Sequence, residues 1–588
     1  MAPTAIRNLL SLSLAALMAG APMASAAPRG PLDGEPTARA CARLGFAEPQ
    51  SRQGRFNPLP PPGMAAPSGV MGPAAPVMAA PMAEQTARWS PPAPPMAIPF
   101  PPPPLSPATV VDTERYPDAT SNPIRRTADD PVSTFSIDVD TASYANVRRF
   151  LNDGARPPSD AVRVEELINY FDYGYRAPSD RSTPFATSIS VAPSPWSDQR
   201  EILHIGLQGY ELPASEQPPL NLVFLIDTSG SMESPDRLPL ARKAMNLLID
   251  QLGPEDRVSM VAYAGSAGAV LAPTDGRQKL MMRCALGALS AGGSTAGGQG
   301  LTLAYELAQQ NFDPGAINRV ILMTDGDFNV GIADHDRLKD FVAEKRRSGV
   351  YLSVYGFGRG NYNDQMMQTL AQNGNGTAAY IDTLAEARRL FLRDLPASMF
   401  PIAQDVKIQV EFNPAQVSEY RLIGYETRML NREDFNNDQV DAGEVGSGAS
   451  VTALYELTLV GAPGSSDPLR YQSAPDPADG GLGQELAFVK VRHQPPGGGV
   501  SELMTRPVTD QDRTTSLARA PEATRWAVAV AAFGQILRGD PWVAERFGWR
   551  EVEALAQGAR GQDRDGDRAE FITLVRSAAD THVQIEGR

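Results

Sequence analysis

The chain has 588 residues and a formal net charge of −15, with two cysteines and four histidines. The length exceeds one ordinary domain, and the acidic balance argues against a phosphate-binding face and therefore against a nucleic-acid partner. Four histidines, none in a paired spacing, give zinc and heme sites little to stand on.

Residues 1–26 read as a secretory signal: Arg7 supplies a positive start, Leu9 to Met18 a short apolar stretch, and Ala24-Ser25-Ala26 a small-x-small cleavage site. The apolar stretch is shorter than the roughly 20 residues that span a bilayer, and no later stretch is long and apolar enough either. The protein is thus expected to be exported, to periplasm or cell surface, with no transmembrane span. Cys41 follows Thr37-Ala38-Arg39-Ala40, which lacks the apolar residue of a lipid-attachment site. Cys284 lies in an apolar helical pattern with Leu280, Met281, Leu286 and Leu289 and reads as a small buried hydrophobe, so no disulfide framework is expected.

Residues 27–110 are expected to form a disordered tether. Eighteen of the fifty residues from Pro58 to Pro107 are proline, which favours extended polyproline II and cannot build a core. An N-terminal flanking region, 111–217, follows. It has strand-like alternation at Phe135 to Val139, a helix-like run at Tyr144 to Leu151, and β-rich stretches at Phe185 to Val191 and Glu201 to Leu207. From 218 to 398, apolar strand runs alternate with helical patterns, the rhythm of a doubly wound, mostly parallel sheet covered on both faces. Beyond it, 399–588 returns to strand-like runs at Val406 to Phe412, Tyr420 to Tyr425, Val451 to Leu459 and Leu486 to Val491. Helical patterns at Thr524 to Leu537 and Phe571 to Ala578 close the chain. The α/β domain is therefore read as inserted between β segments that meet in one sandwich-like module. The acidic runs Asp434 to Asp438 and Asp563 to Asp567 read as solvated turns; in the second, the calcium-loop positions that need carboxylates hold Gly561 and Ile572.

Three loops of the α/β region carry the chemistry. The buried strand Leu220 to Ile226 ends in Asp227-Thr228-Ser229-Gly230-Ser231, where alternate residues aim one carboxylate and two hydroxyls at a point. The loop Gly292 to Gly298 offers Thr295, and the strand Arg319 to Thr324 ends in Asp325-Gly326-Asp327. Ligands of open α/β sheets bind where loops leave the carboxyl ends of strands. Two carboxylates with three hydroxyls make a hard-oxygen site suited to Mg²⁺ or Mn²⁺, and tolerable for Ca²⁺.

These loops resemble the metal-ion-dependent adhesion site of the von Willebrand factor type A (VWA) family. Asp227, Ser229 and Ser231 match its first loop, Thr295 with Gly300-Leu301 its second, and Asp325 its third. Phe135 to Pro178 and Asn431 to Asn437 are similar to the flanks of exported bacterial YfbK-type proteins, although this chain lacks the lipid-attachment cysteine frequent in that group. The resemblance implies a metal incompletely bound by the protein, an open position filled by an acidic group of a protein partner, and a recognition surface that includes Met232, Asp327, Phe328 and Arg359. It implies adhesion or scaffolding rather than catalysis.

Two other roles compete with that expectation. The metal can serve only to lock the loops of a structural envelope protein. An aspartate-dependent phosphatase would use Asp227 as phosphoryl acceptor, but it wants a second aspartate two residues on, where Ser229 stands. Ser229 or Ser231 as a nucleophile would need a histidine base, for which His204 and His335 are the nearer candidates in sequence.

Overall fold

The structure, a computed structural model, describes residues 36–46, 114–118, 120–295, 297–326, 335–466, 482–543 and 547–586. The expected signal sequence, the Pro58 to Pro107 segment, Asp327 and Phe328 lie outside the described residues.

A six-stranded α/β sheet runs in the order Ala378–Ile381, Val350–Phe357, Ile317–Thr324, Leu220–Asp227, Arg257–Tyr263 and Ala267–Asp275. All neighbours are parallel except the last pair. Every residue of Leu220–Asp227 is buried, because the two faces of this strand feed different cores. Leu222, Phe224 and Ile226 pack with the helices Leu238–Gln251 and Lys279–Gly287. Val223 and Leu225 pack with Gly297–Gln310 and Asp364–Asn373 on the other face. That double coverage is the physical reason for the unbroken apolar run.

The β segments of the two flanks combine. One antiparallel sheet joins Phe185–Pro193 and Arg200–Gly209, from before the α/β domain, to Val417–Ile423 and Ser450–Leu459 from after it. A second joins Val132–Ser136 to Pro401–Phe412, Glu485–Gln494 and Glu502–Thr509. Phe135, Leu203, Val410, Tyr455 and Val489 share one core between these sheets, which makes the pair a sandwich. The helices Glu522–Arg538, Trp549–Gly558 and Asp567–Glu586 pack with the flank helices Ala142–Asn152 and Val164–Ile168 in a further core built on Tyr170, Phe171, Trp526 and Phe571. No helix among the described residues is long and apolar enough to cross a membrane.

Two expectations need correction. Cys284 is not a lone buried hydrophobe; it forms a disulfide with Cys41, across a sequence separation of 243. The region expected to be a tether also contains the short helix Ala38–Arg43, capped by the Thr37 hydroxyl, which this bond fastens to the helix Lys279–Gly287. Sequence pattern could not reveal it, because a pair of cysteines carries no information about the path of the chain between them. The acidic runs also serve as caps and ion-pair partners. Asp434 closes a capping box with Asn431, Asp563 accepts from the Arg568 and Ala569 amides, and Asp565 and Asp567 pair with Arg393.

Candidate metal centre

Strand register places Asp227 at the carboxyl end of its strand, opposite Tyr263, while Asp325 follows directly on the neighbouring strand Ile317–Thr324. Both carboxylates are fully buried. Asp227 Oδ1 accepts from the Ser229 amide at 2.8 Å, and its Oδ2 accepts from the Tyr263 hydroxyl at 3.2 Å and the Thr324 hydroxyl at 3.4 Å. The Ser229 and Ser231 hydroxyls lie 3.0 Å apart. Ser229 is buried, while Ser231 is exposed at the rim.

The second loop is tied to the first by backbone. The Gly230 amide donates to the Gly293 carbonyl at 3.0 Å, and the Gly292 amide to the Thr228 carbonyl at 2.8 Å. Thr295 is half-buried at the end of this loop, just before the helix Gly297–Gln310. That helix rides close on the sheet at Gly300, where a Cβ would come within 3.0 Å of the Leu225 and Tyr263 side chains. The third loop turns at Gly326, whose φ of +99° suits glycine and where a Cβ would collide with the Asn361 to Asn363 backbone.

Burial pushes the Asp227 carboxyl up to about 6, against the hydrogen bonds from Ser229, and the nearby Asp325 adds to the push. Two buried carboxylates with hydroxyls beside them form a cluster of oxygen donors, its charge partly offset by the Arg237 guanidinium on Asp325, that would suit a hard divalent cation. The donor set thus fits such an ion. Among the described residues no three His, Cys, Asp or Glu side chains gather as a metal cluster, so hydroxyl donors would have to complete the shell.

Other expected residues land differently. Met232 is fully buried in the α/β core and offers no surface to a partner; the turn after Ser231 folds it inward. The Arg359 side chain is exposed and pairs with Asp153, just beyond the flank helix Ala142–Asn152, at 2.6 Å. His204 gives no base to a serine nucleophile, because its two ring nitrogens meet the hydroxyls of Tyr175 and Thr524 and burial drives its pKa down to about 3. The His335 side chain lies outside the described residues.

Sequence reasoning missed Arg237. Its guanidinium donates to Asp325 Oδ2 at 2.7 Å and to the Ser231 carbonyl at 2.7 Å, so it touches the first and third loops together. A signal was available: Arg237 stands at the N-cap of the helix Leu238–Gln251, where the macrodipole disfavours a cation, so its presence there calls for a nearby anion.

Comparison with known proteins supplies the family. Family models match at residues 221–393 (von Willebrand factor type A domain), 110–204 (von Willebrand factor) and 397–581 (Uncharacterized protein YfbK, C-terminal). The uncharacterized protein YfbK of Escherichia coli (strain K12) is 45% identical over 472 residues, covering 79% of this chain and 81% of its own. An uncharacterized Synechocystis protein is 30% identical over 179 residues, and this chain spans 41% of its length. Among solved structures, a von Willebrand factor type A protein from Catenulispora acidiphila matches 69% of this chain and 98% of its own, with 18% identity and a TM-score of 0.38. The chain belongs to the YfbK family of proteins with a VWA domain.

Proposed function

We propose that this member of the YfbK family is an exported, non-enzymatic binding protein. It recognises a protein partner through a divalent cation held by Asp227, Ser229, Ser231, Thr295 and Asp325. The observation that carries the reading is the pair of fully buried carboxylates, Asp227 and Asp325, brought together at the carboxyl ends of adjacent strands with serine hydroxyls beside them. The cation, when bound, would supply an electrophilic coordination position that an acidic side chain of the partner can fill. Ser229, Ser231 and Thr295 contribute neutral donors, which leave the ion enough residual positive charge to attract that group. Protein interaction is the usual work of VWA domains. Export is supported by the Cys41–Cys284 disulfide, since such bonds persist in oxidising compartments.

The test combines metal and variant. A ligand that binds only the native state stabilises by RT ln(1 + [L]/Kd), about 2.7 kcal/mol at a hundredfold excess over Kd. Millimolar Mg²⁺ or Mn²⁺ is expected to raise the unfolding midpoint of chelator-treated wild type. Thr295→Ala should fold normally, losing about 1 kcal/mol at most, yet show a reduced rise and lose chelator-sensitive capture of partners from envelope extracts. A wild-type midpoint that ignores Mg²⁺, Mn²⁺ and Ca²⁺ sinks the metal reading. A metal response without chelator-sensitive capture leaves the ion a purely structural role.

A further inference from the structure

The Arg237 side chain does more than neutralise a carboxylate. Its Nη1 donates to both Asp325 Oδ2 and the Ser231 carbonyl, each at 2.7 Å, which uses both hydrogens of that nitrogen. Its Nη2 donates to the Arg359 carbonyl and to Asn361 Oδ1, the latter at 3.1 Å. The stem lies against Gly358, where a Cβ would come within 2.2 Å of Arg237 Nε, so only glycine admits the guanidinium there. One cation therefore clamps the first metal loop, the third metal loop and the 358–361 loop that follows the strand Val350–Phe357. That last loop is held from its other side by the N-terminal flank: the Gly360 amide donates to Glu114 at 2.9 Å, and Arg359 pairs with Asp153.

We infer that Arg237 is a built-in competitor of the divalent cation: it holds Asp325 when metal is scarce, and its displacement by metal loosens the 358–361 loop where that loop meets the flank. The inference rests on the metal-site reading above. A guanidinium in hydrogen-bond contact with Asp325 repels a dication at the same carboxylate, and in a site this buried the repulsion is weakly screened. The metal must either share a carboxylate whose charge is already balanced or expel the arginine. Both weaken its binding, and expulsion also removes the Nη2 bonds to Arg359 and Asn361. Metal occupancy is in this way linked to the loop that touches Asp153 and Glu114, a coupling that works equally in reverse.

The experiment is a calorimetric titration of the purified full-length mature chain with MnCl₂, with hydrogen exchange followed at the 358–362 amides. Arg237→Gln is expected to bind Mn²⁺ roughly tenfold tighter than wild type, within the range of a typical coupling between sites. Asn361→Ala, which removes one Nη2 acceptor and leaves the metal loops intact, should tighten binding about threefold by the same coupling. It keeps the test open if the first variant does not fold. Saturating Mn²⁺ should speed exchange at 358–362 in wild type, whereas Arg237→Gln should exchange fast there without metal. Equal or weaker Mn²⁺ binding by both variants, alongside clear wild-type binding, overturns the role of Arg237 alone. Absence of Mn²⁺ binding in wild type and variants overturns this inference together with the metal site.

Discussion

At the loop end of the α/β domain, two buried carboxylates meet serine hydroxyls and the Arg237 guanidinium. At the edge that faces the flanks, buried carboxylates are matched by arginines. Arg148 donates to Asp382, to Glu386 at 2.8 Å and to the Tyr170 hydroxyl at 3.0 Å; Arg389 reaches the other Glu386 oxygen; Arg163 bridges Glu166 and Asp364. The chemistry of the side chains is the same, but the way the carboxylates are held differs. In the first, Asp227 is held by hydroxyl and amide donors and Asp325 by Arg237. In the second each of these carboxylates meets a guanidinium, and the ion pairs tie three parts of the chain, the flank helices, the α/β domain and Glu570 of the last helix, in one arrangement.

The sharpest way to break this comparison is Glu386→Ala. Burial alone would push this carboxyl up, yet Arg389 and Arg148 override it and hold it at about 2. Removing Glu386 leaves Arg148 to Asp382 and Glu570, and Arg389 to Asp394 alone, and breaking a buried pair from one side typically costs about 3–5 kcal/mol. The expected result in chemical denaturation is a loss of that size, with Mn²⁺ affinity unchanged within about twofold, as for independent sites. A loss below about 1 kcal/mol, the level of an exposed ion pair, would deny the joint its structural role. A lost metal response would deny the separation of the two regions.

The two regions also differ in how far they could be read from sequence. Asp227, Ser229 and Ser231 lie together on one loop, and Asp325 follows a recognisable strand, so spacing and strand-end position place them at one end of the sheet. Arg148 finds Glu386 across 238 residues and Glu570 across 422. Only the packing of the flank helices on the α/β domain brings them together, and no local periodicity encodes it. The sandwich was legible because both of its halves alternate in the period of a strand, whereas Arg237 was overlooked because it lies outside the matching loop pattern.

Distant pairing is covalent at Cys41–Cys284, on the helix Lys279–Gly287. Closing a loop between residues so far apart restricts the unfolded chain, for which measured effects are typically about 2–4 kcal/mol. Reduction should lower the denaturation midpoint by a corresponding amount while leaving Mn²⁺ affinity unchanged. Non-reducing mass spectrometry of the mature chain should find it lighter by two hydrogens than the reduced form. A free thiol on either cysteine in protein recovered from the envelope would remove this bond from the account.

The smallest expected effect sharpens the comparison from inside the joint. Glu165, on the flank helix Val164–Ile168, is a buried carboxylate whose two oxygens have no hydrogen-bond partner among the described residues, in contrast to Glu386. Burial raises it to about 8, and the neighbouring Glu426, Glu166 and Asp138 add to the rise. Its folded-state pKa lies above its unfolded value, so the folded protein holds an extra proton between the ordinary carboxylate range and about 8. The associated stability is fully present below that range and is lost as pH rises through about 8. Every tenfold change in the balance between the neutral and charged forms is worth about 1.4 kcal/mol, but a glutamine placed here leaves its own amide poorly bonded, which takes back part of the gain. Glu165→Gln is therefore expected to stabilise by about 2 kcal/mol at about pH 8 and by nothing, or slightly the reverse, at about pH 4. Denaturation midpoints of wild type and variant measured across that interval should converge or cross as pH falls. Parallel curves would mean that Glu165 does not titrate where its surroundings place it, and that the charge balance of the joint reaches this helix as well.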